Sequence, residues 1–206
     1  MKRPHVLPTM TARLARAMYV VLSATSLLLV VPSLSVASAT ADPQVAVTPQ
    51  AKTLVPAQFE VPPQATLAGL KLRKVDPTLA EQDYPALMAA RQQIRLDLGT
   101  EWPADNLTLA ENKASLVQDL KAFNERRNFT YHLLDPSSDR VIGCLYISQS
   151  GDAQYHAAVY YWVVPELHQH PTHPAIRAAL QQWLHHSWPF AAIDYSLLGA
   201  LPAEKT

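Results

Sequence analysis

Apolar and basic positions alternate through Leu70-Lys71-Leu72-Arg73-Lys74-Val75, a period of two that predicts a strand with one buried face. Asp76-Pro77 ends it, since proline donates no ladder hydrogen bond and restricts the residue before it. The period then lengthens. Leu87, Ala90, Ile94 and Leu98 recur at helical spacing, with Asp83 as the cap, Pro85 in the first turn and Gly99 as the stop. Glu101 to Asn106 reads as a loop, and Thr108-Leu109-Ala110-Glu111 is a capping box in which hydroxyl and carboxylate satisfy each other's backbone amides. The second helix starts there and buries Leu116, Leu120 and Phe123, while Lys113, Gln118, Asp119 and Lys121 face water.

Strand composition returns at Phe129-Thr130-Tyr131-His132-Leu133-Leu134, and Asp135-Pro136-Ser137-Ser138-Asp139 turns the chain into a second run from Val141 to Ser148. Gly151-Asp152 breaks it, and Gln154 to Val164 is a third, rich in aromatic and β-branched residues. Three successive strands joined by short turns predict an antiparallel meander. Beyond Pro165, Pro174 suits the first position of a helix carrying Ile176, Leu180 and Leu184; Trp188-Pro189-Phe190 ends it, and Ala191 to Tyr195 is a short closing strand. A strand, a crossover helix and another strand place the last two strands parallel. The predicted order is β-α-α-β-β-β-α-β, an α/β (α+β) domain with a mixed, mostly antiparallel sheet flanked by helices.

The ends change the picture. Lys2, Arg3, Arg13 and Arg16 precede an apolar stretch from Ala17 to about Val36, with no acidic residue before Asp42, the charge-then-apolar order of a secretory signal. Ala37-Ser38-Ala39 and Ala39-Thr40-Ala41 both fit small-x-small cleavage sites, so cleavage after Ala39 or Ala41 is expected. Two alternatives stay open: an uncleaved anchor, because the stretch approaches the roughly 20 residues that span a bilayer core, and a true start at Met10 or Met18, which returns the protein to the cytosol. Residues 1–41 are thus read as signal or anchor, 42–66 as a Pro- and Ala-rich linker, 67–200 as one domain and 201–206 as a tail. Cleavage removes four of the 17 basic residues and none of the 17 acidic ones, leaving an acidic chain with no basic face for nucleic acid. Membrane contact is expected only through an uncleaved N-terminus. Cys144, the single cysteine, allows no intrachain disulfide and sits among apolar neighbours as a buried structural thiol.

This order, with the hairpin bearing Asp135-Pro136 and Val141-Ile142-Gly143-Cys144 and the run Tyr161-Trp162-Val163-Val164-Pro165-Glu166, resembles the GNAT (Gcn5-related) N-acetyltransferase superfamily. Glu101-Trp102-Pro103, Phe129-Thr130-Tyr131 and Trp188-Pro189-Phe190 also resemble a divergent bacterial GNAT-like branch. The resemblance implies acetyl-CoA as acyl donor and a small-molecule or peptidyl amine as acceptor. It assigns the pantetheine arm to the main chain of Trp162, Val163 and Val164. Two departures accompany it. The family's glycine-bearing pyrophosphate segment is replaced by Pro165-Glu166-Leu167-His168-Gln169-His170-Pro171-Thr172-His173-Pro174, without a glycine, and the chain ends at Thr206, shortly past the closing strand. Tyr195 then stands as the candidate general acid, and Glu166 and His156 as candidate bases.

Five of the eight histidines lie between His168 and His186. His168, His170 and His173 could place three imidazoles around zinc or copper; the plainer reading makes them exposed loop residues and has His185 and His186 complement a helix C-terminus. Two function classes follow: an acetyltransferase, and an exported, catalytically degenerate module that binds or scaffolds, with metal held by the His-rich loop as one form of it.

Overall fold

The computed structural model describes residues 53–198. The expected signal or anchor, its cleavage sites, residues 42–52 of the linker and the tail lie outside the described residues. Among the described residues no helix is long and apolar enough to cross a membrane.

Six strands form one sheet in chain order: β1 (Gln64–Leu67), β2 (Leu70–Lys74), β3 (Phe129–Leu134), β4 (Val141–Gln149), β5 (Ala157–Val163) and β6 (Ile193–Asp194). All neighbours are antiparallel except β5 and β6. The helices are α1 (Ala80–Leu98) and α2 (Leu109–Asn124) between β2 and β3, and α3 (His173–Ser187) between β5 and β6; one helical turn, Pro165–His168, precedes α3. The architecture is the mixed, mostly antiparallel arrangement expected, with one strand added at the front.

That strand corrects the linker reading. Ala68 and Gly69 both take positive φ, 45° and 77°, and close a two-residue hairpin with Leu67 opposite Leu70, the geometry of a primed turn. The residues before it are tied to the domain as well. Leu54 N–H donates to Arg126 O at 2.7 Å, the Arg126 guanidinium donates to the carbonyls of Pro56 and Phe59, each at 2.6 Å, and Val55 is buried. The domain therefore begins well before residue 67.

Two other local readings shift. Asp76, not Asp83, is the helix-initiating cap: its carboxylate accepts from Thr78 N–H at 2.9 Å and starts a 3₁₀ turn that runs into α1. Asp83 lies instead on the inner face of α1 and is buried. Asp119 is half-buried rather than water-facing, and desolvation first, then the Asp83 charge, pushes its pKa up to about 7. Elsewhere local chemistry holds: Thr108 and Glu111 form both halves of the capping box, and Gly99 ends α1 in the left-handed region at φ 61°.

Every residue of β3 and β5 is buried, as for strands covered on both faces. The core is aromatic at one end. Trp188, which ends α3 in an extended conformation, has its ring 5.0 to 6.3 Å from those of Phe59, Phe129, Tyr131, Trp183 and Phe190. At the other end β4 and β5 approach so closely that a Cβ on Gly143 would be driven into the Trp162 carbonyl oxygen and lie 3.1 Å from Val163 Cα. Gly143→Ala should therefore destabilise the domain by about 1–3 kcal/mol, read as a lower denaturant midpoint with unchanged slope; an unchanged midpoint would show that the strands can part without cost.

Candidate active site

The pairing of β5 with β6 lasts two residues, Ala157 opposite Ile193 and Ala158 opposite Asp194. From Val159 to Val163 no described strand pairs with that edge of β5. The space so opened is bounded by α1, the start of α3 and a 3₁₀ turn at Ser196–Leu198. It forms a cleft of about 210 Å³ lined by Asp97, Tyr161, Val163, His173, Arg177 and Leu198, among others. A cleft of this size takes the reacting end of a long ligand and not the whole of it.

Strand alternation decides which backbone groups face this opening. Val164 N–H donates to Ile142 O at 2.9 Å, so the main-chain groups of Val164 and Trp162 are turned toward β4. Those of Val163 and Tyr161 are turned to the open edge. Of the three residues assigned to the pantetheine arm, only Val163 presents its backbone to the cleft. The indole of Trp162 is buried, its N–H on the Tyr146 hydroxyl at 3.2 Å.

Two side chains meet inside the cleft. The Tyr161 hydroxyl and His173 Nε2 are 2.8 Å apart. Desolvation, then the positive fields of His168 and Arg177, lowers the His173 pKa from 6.5 to about 4. Burial pushes the Tyr161 phenol up, and Arg177 only partly offsets it. Both groups are therefore neutral near pH 7, with a protonated phenol against an imidazole able to accept. This pair can hold a proton and pass it on.

The residues nominated from sequence are not gathered here. His156 is exposed at the start of β5, where its backbone N–H reaches Ala192 O at 2.9 Å. Glu166 is exposed on the helical turn and lines a separate open groove with Asp135, Arg140 and His170. Tyr195 follows β6, half-buried against the core, its carbonyl accepting from Leu198 N–H at 2.9 Å. The three loop histidines are divided. His168 and His173 line the cleft with ring centroids 4.7 Å apart, whereas His170 lies in the groove and bonds Thr172 Oγ1 at 2.9 Å. They do not converge on one point, and among the described residues the group with metal-ligating spacing is a different one, Asp83, His132 and Cys144.

Arg177, Asp97 and the Tyr161–His173 pair were missed from sequence. The one signal for Arg177 was its place beside Ile176 in the buried stripe of α3, where a charge is unusual.

No protein-family model matches the chain, and no curated protein matches it. Solved structures do. The chain is similar to the ribosomal L7/L12 alpha-N-protein acetyltransferase RimL in complex with coenzyme A, at 14% identity over 62% of this chain and 70% of that one, TM-score 0.46. It is similar to the microcin C7 self-immunity acetyltransferase MccE in complex with acetyl-CoA and AMP, at 13% identity over 58% and 66%, TM-score 0.46. It is also similar to the Salmonella typhimurium acetyltransferase that modifies the N-terminal serine of L7/L12, at 14% identity over 60% and 68%, TM-score 0.44. About two thirds of each neighbour's length is matched.

The folded His173 resists protonation until about pH 4, while the unfolded chain takes up that proton near 6.5. The stability contributed by the neutral ring is therefore present above 6.5 and lost as pH falls toward 4. Urea midpoints at pH 7.5 and 5.0 should fall more on acidification for the native chain than for His173→Gln; equal falls would place the imidazole in an ordinary aqueous setting.

Proposed function

We propose that this chain is a GNAT-type N-acyltransferase that uses the open edge of β5 to hold the thioester end of acetyl-CoA and transfers the acetyl group to an amine. The observation that carries this reading is the two-residue pairing of β5 with β6. It leaves the Val163 main chain facing a cleft, where an amide-bearing arm can add to the sheet as a strand would.

The fit differs along the cofactor. The arm's reacting end suits the cleft, whose walls at Val163 and Leu198 are apolar. The pyrophosphate has no glycine nest, since Pro171 and Pro174 donate no N–H. When bound, the thioester supplies an activated acetyl group. Tyr161 would donate its phenolic proton to the departing thiolate, and His173, 2.8 Å from its oxygen, would take up the proton shed by the amine and return one to the phenolate. Arg177 lines the same cleft, where its positive field acts on both Tyr161 and His173.

A second reading rests on the same cleft. Leu197 and Leu198 line it and the phosphate seat is glycine-free, as in a domain that keeps the sheet for binding and has lost the chemistry; an exported location suits that module better, because acetyl-CoA is cytosolic.

Thermal unfolding of the full chain with saturating acetyl-CoA and CoA separates the two. At a hundred times its dissociation constant a ligand stabilises by about 2.7 kcal/mol, so both should raise Tm by several degrees, and no shift with either would overturn the acyltransferase reading. Given binding, Tyr161→Phe should lower kcat for acetyl transfer to an amine acceptor, read as CoA release, by about 100-fold while leaving the acetyl-CoA Tm shift intact.

A further inference from the structure

Away from the cleft, α1, α2, β3 and β4 enclose a polar knot. His132 and Cys144 are directly opposed across β3 and β4, and Asp83 of α1 meets them. All three are buried, at 0%, 1% and 2% exposure. Cys144 Sγ donates to Asp83 Oδ1 at 3.2 Å, Asn112 Nδ2 donates to Asp83 Oδ2 at 2.8 Å, and His132 Nε2 stands 3.6 Å from Asp83 Oδ1. Neither nitrogen of His132 has a hydrogen-bond partner. A fully buried imidazole with both nitrogens unsatisfied costs free energy that a core would avoid by placing an apolar residue there.

We propose that Asp83, His132 and Cys144 bind a divalent, borderline-soft metal ion of the zinc type. The three donor atoms lie within 4.8 Å of one another. A tetrahedral zinc with bonds of about 2.3 Å to sulfur and about 2.0–2.1 Å to nitrogen or oxygen has ligand edges of about 3.3–3.6 Å. The separations from Asp83 Oδ1, 3.2 Å to sulfur and 3.6 Å to nitrogen, come within about 0.4 Å of those edges.

The charges balance too. Cys144 is a thiol that donates to Asp83 Oδ1, and the His132 ring has two nitrogens without a partner, one of them able to ligate. Metal binding displaces the thiol proton to solvent; the thiolate and the carboxylate then cancel the dication, and neutral imidazole completes the protein's share. Asn112 is the positioning residue, holding the second carboxylate oxygen. The fourth position falls to a water. Buried as it is, the ion would staple α1 to the central strands and take no part in the chemistry at the cleft.

Full-length protein stripped with chelator and titrated with cobalt(II) provides the test, because cobalt reports its own ligands. One equivalent should bind and give the charge-transfer absorption of a cobalt–thiolate bond, and zinc should displace it and raise Tm. Cys144→Ser should abolish the band, Asn112→Ala should weaken binding about 10- to 100-fold, and His170→Ala should change neither. Circular dichroism of each variant establishes that it is folded. Failure of the folded native chain to bind stoichiometrically, binding without a thiolate band, or a band that survives Cys144→Ser would each overturn the proposal, and the native-chain spectrum decides even if a variant does not fold.

Discussion

The geometry of the cleft depends on where α3 ends, and Trp188 fixes that point. Its ring packs among Phe59, Phe129, Tyr131, Trp183 and Phe190, contributed by the N-terminal segment, the first central strand and the helix itself. Aromatic packing of this kind adds about 0.5–1.5 kcal/mol per pair beyond area burial. Holding the helix end here delivers the chain to β6 beside Ala157 and Ala158, while the N-terminal end of α3, with His173, stands by the other end of β5. The helix is thus held at both ends, by the Trp188 cluster and by the contact of His173 with Tyr161, while β6 pairs with β5 over two residues only.

Two polar sites of opposite character lie on one sheet, the cleft at the open edge of β5 and the knot on β3 and β4. The cleft places Tyr161 and His173 where a proton can move and water and ligand can enter. The knot of Asp83, His132, Cys144 and Asn112 is sealed from solvent.

Much of the architecture was legible in periodicity. The capping box, Gly99, the meander and the parallel return of the last strand all follow from local chemistry that tertiary packing did not override. The front hairpin was not, because Ala68-Gly69 is a weaker turn signal than Asn-Gly and the residues before it are rich in proline. The site was less legible than the fold. Glu166, His156 and Tyr195 were chosen by residue type, and none of them lines the cleft that holds Tyr161 and His173. Tyr161 and His173 are 12 positions apart and meet only through the crossover. Asp83 and His132 are brought together from separate elements by pairing that no single segment encodes. Its helical position made Asp83 look like a cap, and only the register of β3 against β4 shows what it faces.

The sheet also bears on how these molecules behave in company. Its outermost strands are four and two residues long, too short to template much pairing with a neighbouring chain. The one longer stretch of unpaired strand, on β5, lies inside the cleft behind Leu197 and Leu198. Shielding of this sort keeps an open backbone edge, useful for gripping a ligand, from becoming a seed for aggregation, and it ties the solubility of the protein to the same short turn that narrows the site.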